Sequence, residues 1–164
     1  MSDKINPIRE TDDEARGLAR DLLTGAATAA LGVIEPGSGA PFVSRIAFGL
    51  GPQGEPMTLV SDLAVHARAL RADPRASLLI GAPGPKGDPL THPRLTLRAS
   101  ARFVARDDGR RDALRAVWLG HHPKAKLYVD FDDFHFVLFD IADGLLNGGF
   151  AKAYALDAND LRVI

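Results

Sequence analysis

The chain has no cysteine, which excludes disulfides, thiolate catalysis and Cys-ligated zinc or iron–sulfur sites. It also lacks an excess of charge of either sign: 20 basic and 21 acidic residues leave a net charge of −1. A general nucleic-acid binder is usually visibly basic, so that class is set aside, while a local pocket for one small anion stays open. No apolar run approaches membrane-spanning length, and the opening MSDKINPIRETDDEARGLARDLL has no signal-peptide core. The expectation is a soluble, cytoplasmic protein without a nucleic-acid or membrane partner.

What remains is ordinary globular composition, 46% hydrophobic and 25% charged over 164 residues. That length suits a single domain over 1–164, with 1–10 expected as a flexible N-terminal segment. Apolar residues at spacings of three and four predict a helix over Thr11–Leu23, with Thr11 as N-cap and Glu14 completing a capping box. Strands are predicted at Thr28–Ile34, Phe42–Leu50, Met57–Ser61, Ala76–Gly81, Arg94–Arg106 and Phe134–Ile141, with LLNGGFAKAY continuing or re-entering the sheet. Short helices are expected at Ala64–Ala72 and Asp108–Leu119, and APGPKGDPLTHP is too rich in Pro and Gly for regular structure. About six strands with helices confined to the ends and two connections predict a mainly β, α+β fold: a closed six-stranded antiparallel barrel with helices packed outside.

The most informative stretch is MTLVSDLAVHARALRADPRASLLI at 57–80. It reads as strand, Ser-Asp turn, short basic helix, Asp-Pro stop and strand. Ser61, His66 and Arg68 cluster where that helix begins, and a helix start favours an anion because its first N–H groups are unpaired. Arg45 stands within an otherwise apolar strand, where an unpaired charge is costly; it faces a ligand or closes a salt bridge at the rim. Arg94, Arg98 and Arg102 share one strand face, where such rows are mostly solvated or ion-paired, and only Arg94 lies beside the long loop.

This order of elements resembles the pyridoxamine 5′-phosphate oxidase-like FMN-binding split-barrel superfamily, and within it the haem-utilisation branch. The segments that carry the resemblance are PFVSRIAF at 41–48, SDLAVHARALRADPRASLLI at 61–80, GDPL at 87–90, RLTLRASARFV at 94–104, HHPKAKLY at 121–128 and GGFAKAY at 148–154. The resemblance implies an FMN cofactor at the interface of a homodimer and a small oxidoreductase of unknown substrate. It implies flavin contacts from Ser44, Arg45 and Ile46, phosphate contacts from Ser61, His66 and Arg68, and a further contact from Arg94. That branch commonly reads His-Thr-x-Asn-Leu in the helix; this chain has His66-Ala67-Arg68-Ala69-Leu70 and so lacks two polar groups there. Haem binding and a non-enzymatic dimeric sensor are the alternatives.

Other constellations carry less. His121-His122-Pro123 places adjacent side chains in different directions, with no third metal ligand at a recognised spacing. Ser61 and His66 lack a G-x-S-x-G elbow or an orienting carboxylate, which argues against a hydrolase. Gly148-Gly149 is no dinucleotide fingerprint. Flavin performs its own redox chemistry, so no catalytic acid or base is nominated, and no metal is expected.

Overall fold

Among residues 6–163, which the computed structural model describes, nine strands form one sheet with three helices packed on it. In chain order they are β1 (Ile8–Arg9), α1 (Asp13–Gly25), β2 (Thr28–Ile34), β3 (Pro41–Ala47), β4 (Gly49–Leu50), β5 (Pro56–Ser61), α2 (Val65–Ala72), β6 (Arg75–Ile80), β7 (Arg94–Phe103), α3 (Arg111–His121), β8 (Phe134–Asn147) and β9 (Ala153–Asp157). The sheet runs β1-β9-β8-β7-β6-β2-β3, while β5 pairs with the first half of β8 and carries β4. All pairings are antiparallel except β1 with β9.

The architecture is the split barrel that the sequence predicts, mainly β with helices outside, but the sheet does not close. Among the described residues β3 forms a ladder with β2 alone. The strand count rises from six because β1, β4 and β9 are separate elements. Phe42–Leu50 breaks at Phe48, whose side chain is fully buried and whose N–H donates to the Ala27 carbonyl instead of a neighbouring strand. β8 explains much of the split. Its first half pairs β5, its second half pairs β9, and β7 flanks it for nearly all its length.

Burial follows from the same arrangement. One core lies between α1, α2 and the inner face of β2, β6 and β7, with Leu23, Leu31, Leu70, Leu78, Ile80, Leu95 and Leu97 nearly inaccessible. A second core gathers Met57, Leu114, Trp118, Val129, Phe136 and Leu138. Val137 and Phe139 point into the first core, and Phe136 and Leu138 into the second. A strand buried on both faces reads as a continuous apolar run, which is why FHFVLF shows no alternation.

The start of α1 differs by one residue from the sequence reading. Asp12 is the N-cap, its carboxylate accepting from the Ala15 N–H at 2.8 Å, while the Thr11 hydroxyl donates to the Ala155 carbonyl on β9. Both Thr11 and Asp12 are good capping residues, and the strand contact claims Thr11. Asp12→Ala is therefore expected to cost about 1 kcal/mol in urea denaturation. Of the flexible segment expected over 1–10, residues 1–5 lie outside the described residues, and Ile8–Arg9 pair with Ala153 and Tyr154.

Candidate functional site

Two regions compete for a ligand, one on each face of the sheet near the β3 edge. On the inner face, Ser44 of β3 lies opposite Leu31 of β2 and meets α2. Its hydroxyl shares a hydrogen bond of 3.1 Å with His66 Nδ1. His66 is half-buried in the first turn of α2, and burial pushes its imidazole below the ordinary value of 6.5. That helix begins at Val65 after the N-cap Ala64, with no side-chain cap and no acidic residue in its first turn, so its first N–H groups lack a side-chain partner.

The other residues predicted for this site are placed differently. Ser61 Oγ donates to Asp133 at 2.7 Å and accepts from the Leu63 N–H, so a carboxylate already occupies its donor. Asp62, next in the turn, is tied to Arg71 at 3.0 Å and to His135 at 2.8 Å. Arg68 is exposed two positions beyond His66, on another side of the helix. Ile46 is buried beside Ala29 and offers only its backbone. Arg45 points to the opposite sheet face from Ser44, exposed and without an ion-pair partner among the described residues. Arg94 lies on β7, three strands from β3, with its guanidinium donating to the Leu90 carbonyl at 2.8 Å. The structure thus brings together Ser44, His66 and the start of α2, and sets the three arginines apart.

The burial of His66 carries a pH signature. Its folded pKa lies below the unfolded value of 6.5, so between the two values the unfolded chain holds more protons. The stability is complete above 6.5 and falls as the solution is acidified through that window. Denaturation midpoints should therefore drop below pH 6.5 and the drop should shrink in His66→Gln; a profile identical in the variant would assign the loss to other groups.

On the outer face, the sequence reading missed a groove. A cavity of about 620 Å³ crosses five strands, from Pro41 on β3 past Gly32 and Ile34 on β2 to Asp140 and Ala142 on β8. Four strand spacings make it roughly 19 Å long. Its floor is mostly apolar, and at Gly32 it is bare backbone. A Cβ built there would meet only Ser77, at 3.7 Å, so the position stays open towards the groove. Arg75 and Arg98 lie along it, paired with Asp73 at 2.6 Å and with Asp143. Asp73 is held down to about 2 by hydrogen bonds from Arg75. At β8 the register skips Ala142 between Ile141 and Asp143, and this bulge sets Asp143 opposite Arg98 on the groove face, where Ala142 also lies. A sequence signal existed for this site, the lone glycine inside TAALGVI, since a strand glycine often marks the close approach of a ligand or another backbone. No cluster of three or more His, Asp or Glu positioned for a metal ion occurs among the described residues. No helix among them is long and apolar enough to cross a membrane.

Comparison with known proteins gives this geometry its setting. Residues 10–160 match the CREG β-barrel family. The chloroplastic heme oxygenase HOZ of Arabidopsis thaliana is 38% identical over 137 residues, which are 82% of this chain and 38% of that protein. A heme binding protein from Mycobacterium smegmatis superposes with a TM-score of 0.81 at 30% identity, covering 92% of this chain and 61% of the other. A Clostridium acetobutylicum protein described as of the pyridoxinephosphate oxidase family superposes at 0.69 with 14% identity, covering 92% and 99%, a likeness of fold alone. The chain thus spans well under half of its curated relative. With its split sheet, its helix order and this match over nearly its whole length, the chain belongs to the CREG β-barrel family.

Proposed function

We propose that the chain binds haem in the outer groove and acts as a haem-handling redox protein. The groove carries this reading. A haem needs a dry, flat surface for its macrocycle and cations for its propionates, and the groove combines an apolar floor, open backbone at Gly32 and two arginines. The ion pairs that now hold Arg75 and Arg98 are solvent-exposed, so exchanging their partners for propionates costs little. Relatives at 38% and 30% identity bearing the names heme oxygenase and heme binding protein support the choice. Bound haem would supply iron-centred redox chemistry. The chain's own part is to shed water from one face of the ligand and to orient it through Arg75 and Arg98. Among the described residues no histidine lines the groove, so they supply a surface and anion contacts without an iron ligand.

The same face favours a second copy of the chain. Val43, Leu79 and Leu145 are 66%, 43% and 36% exposed on it, an apolar surface that a homodimer would cover while enclosing the site. The deciding experiment is a hemin titration of the purified protein. A saturable Soret change, weakened when Arg75 and Arg98 are both replaced by alanine, supports the reading; an unchanged spectrum at every hemin concentration overturns it.

FMN is the second reading, and one observation favours it: the uncapped start of α2 beside the Ser44–His66 pair suits a phosphate. In that case the protein should be yellow after FMN addition and desalting, and His66→Ala should release the flavin. A colourless protein that ignores FMN removes this alternative and leaves the haem reading standing.

A further inference from the structure

A second, larger cavity adjoins the groove and has no part in the reading above. About 980 Å³ in volume, it lies between the 51–56 turn, α3, β8 and the 158–163 segment, and shares Asp140 and Ile141 with the groove as a common wall. Leu50, Val117, Phe139, Ile141 and Leu161 give it an apolar lining. Four ionic groups border it, and their commitments differ in a way that decides the ligand's charge. Asp140 is held by Arg102 at 3.0 Å, and Glu55 accepts the Gln53 N–H at 2.8 Å. The side chains of Arg162 and His121 make no hydrogen bond or ion pair among the described residues. Both acids are turned to the chain's own groups, Asp140 to a guanidinium and Glu55 to a backbone N–H within the field of Arg102 and Arg110, while the Arg162 guanidinium is left available.

We propose that this cleft is a binding site for an amphiphilic organic anion, a carboxylate or sulfonate with an apolar body. Apolar surface would lie on Val117, Ile141 and Leu161, and the anionic head would meet Arg162, with His121 beside it. Charge complementarity selects this class over an amphiphilic cation, which would meet only acids already engaged. The inference is independent of whether the neighbouring groove takes haem.

The chain supplies its own reporter. Trp118 is its one tryptophan, 1% exposed, and follows Val117 on α3. The test is titration of the full chain with decanoate and, in parallel, decylamine, read by Trp118 emission and by calorimetry. Decanoate should saturate and decylamine should not. Arg162→Ala, at an exposed position, should weaken decanoate about fivefold, the size of one exposed charge contact. Val117→Asp, which places a like charge on the apolar lining, should lower affinity beyond detection. Equal binding of decylamine, no saturable response to decanoate, or binding untouched by Arg162→Ala and Val117→Asp would each overturn the proposal. A chain that binds hemin yet ignores decanoate sinks this inference alone, and the reverse result sinks only the haem reading.

Discussion

Gly32→Phe is expected to weaken hemin binding severely while leaving the fold intact. The residue sits on the outer face of β2, opposite Val43 on β3 and Ser77 on β6. A Cβ there would make only ordinary contact with Ser77 at 3.7 Å, so the backbone need not move. Phenylalanine also suits a strand better than glycine does. The thermal midpoint should therefore stay within about 3 °C of the parent, equivalent to roughly 1 kcal/mol in a protein of this size. The ring would project into the groove floor and fill the space that the macrocycle requires. Hemin affinity should fall more than about tenfold, since a blocked cavity forfeits most of the ligand's buried apolar area. An unaltered Soret titration in a folded variant would show that haem, if bound, lies elsewhere.

The second large effect comes from another glycine near the same sheet, with the opposite outcome. Gly81, just past the end of β6, has φ of 103°, a conformation that side-chain-bearing residues rarely adopt. An added Cβ would also come within 2.6 Å of the Pro93 carbonyl and 3.0 Å of the Arg94 Cα, both backbone atoms that cannot step aside. Strain and overlap together should make Gly81→Ala cost roughly 3 kcal/mol or more. The thermal midpoint would then drop by about 6–12 °C. A near-normal midpoint would mean that the chain leaves β6 in an ordinary conformation and that the approach to β7 is looser than described. The contrast between the two substitutions rests on space alone. One glycine leaves room for a ligand, and the other lets one strand end pass beside the next.

Much of the scaffold was legible in the residues. TAALGVI is a strand at its predicted bounds, and the basic helix and the strands flanking it lie within a residue or two of theirs. Those segments carry local signals: alternation, caps and breakers that act over a few residues. The row Arg94, Arg98, Arg102 suggests solvated or ion-paired side chains, and Asp143 and Asp140 are the partners of the last two. Failures occurred where a distant contact outweighed a local preference. Thr11 gives way as a cap because β9 claims its hydroxyl, and Phe48 interrupts a strand because the core takes its ring. Two-residue strands such as β1 and β4 are too short to show any period.

The candidate site was legible only in part. Ser44 and His66, 22 positions apart, do meet, as expected if both serve one site. Within one chain the arginines Arg45, Arg68 and Arg94 lie apart from that pair. Alternation along β3 sends Arg45 to the face opposite Ser44, and the turn of α2 sends Arg68 away from His66. Beyond the lone glycine of TAALGVI the groove leaves little trace in the sequence, because its lining comes from five strands and its shape depends on their register.

By itself the sequence determined the class of fold, the order of its elements and the lack of thiol chemistry, because composition and short-range periodicity suffice for these. Which side chains share a cavity was decided by the tertiary structure alone. Strand register and the bulge at Ala142 assign each residue to one sheet face or the other, and a shift of one position would exchange the two sets.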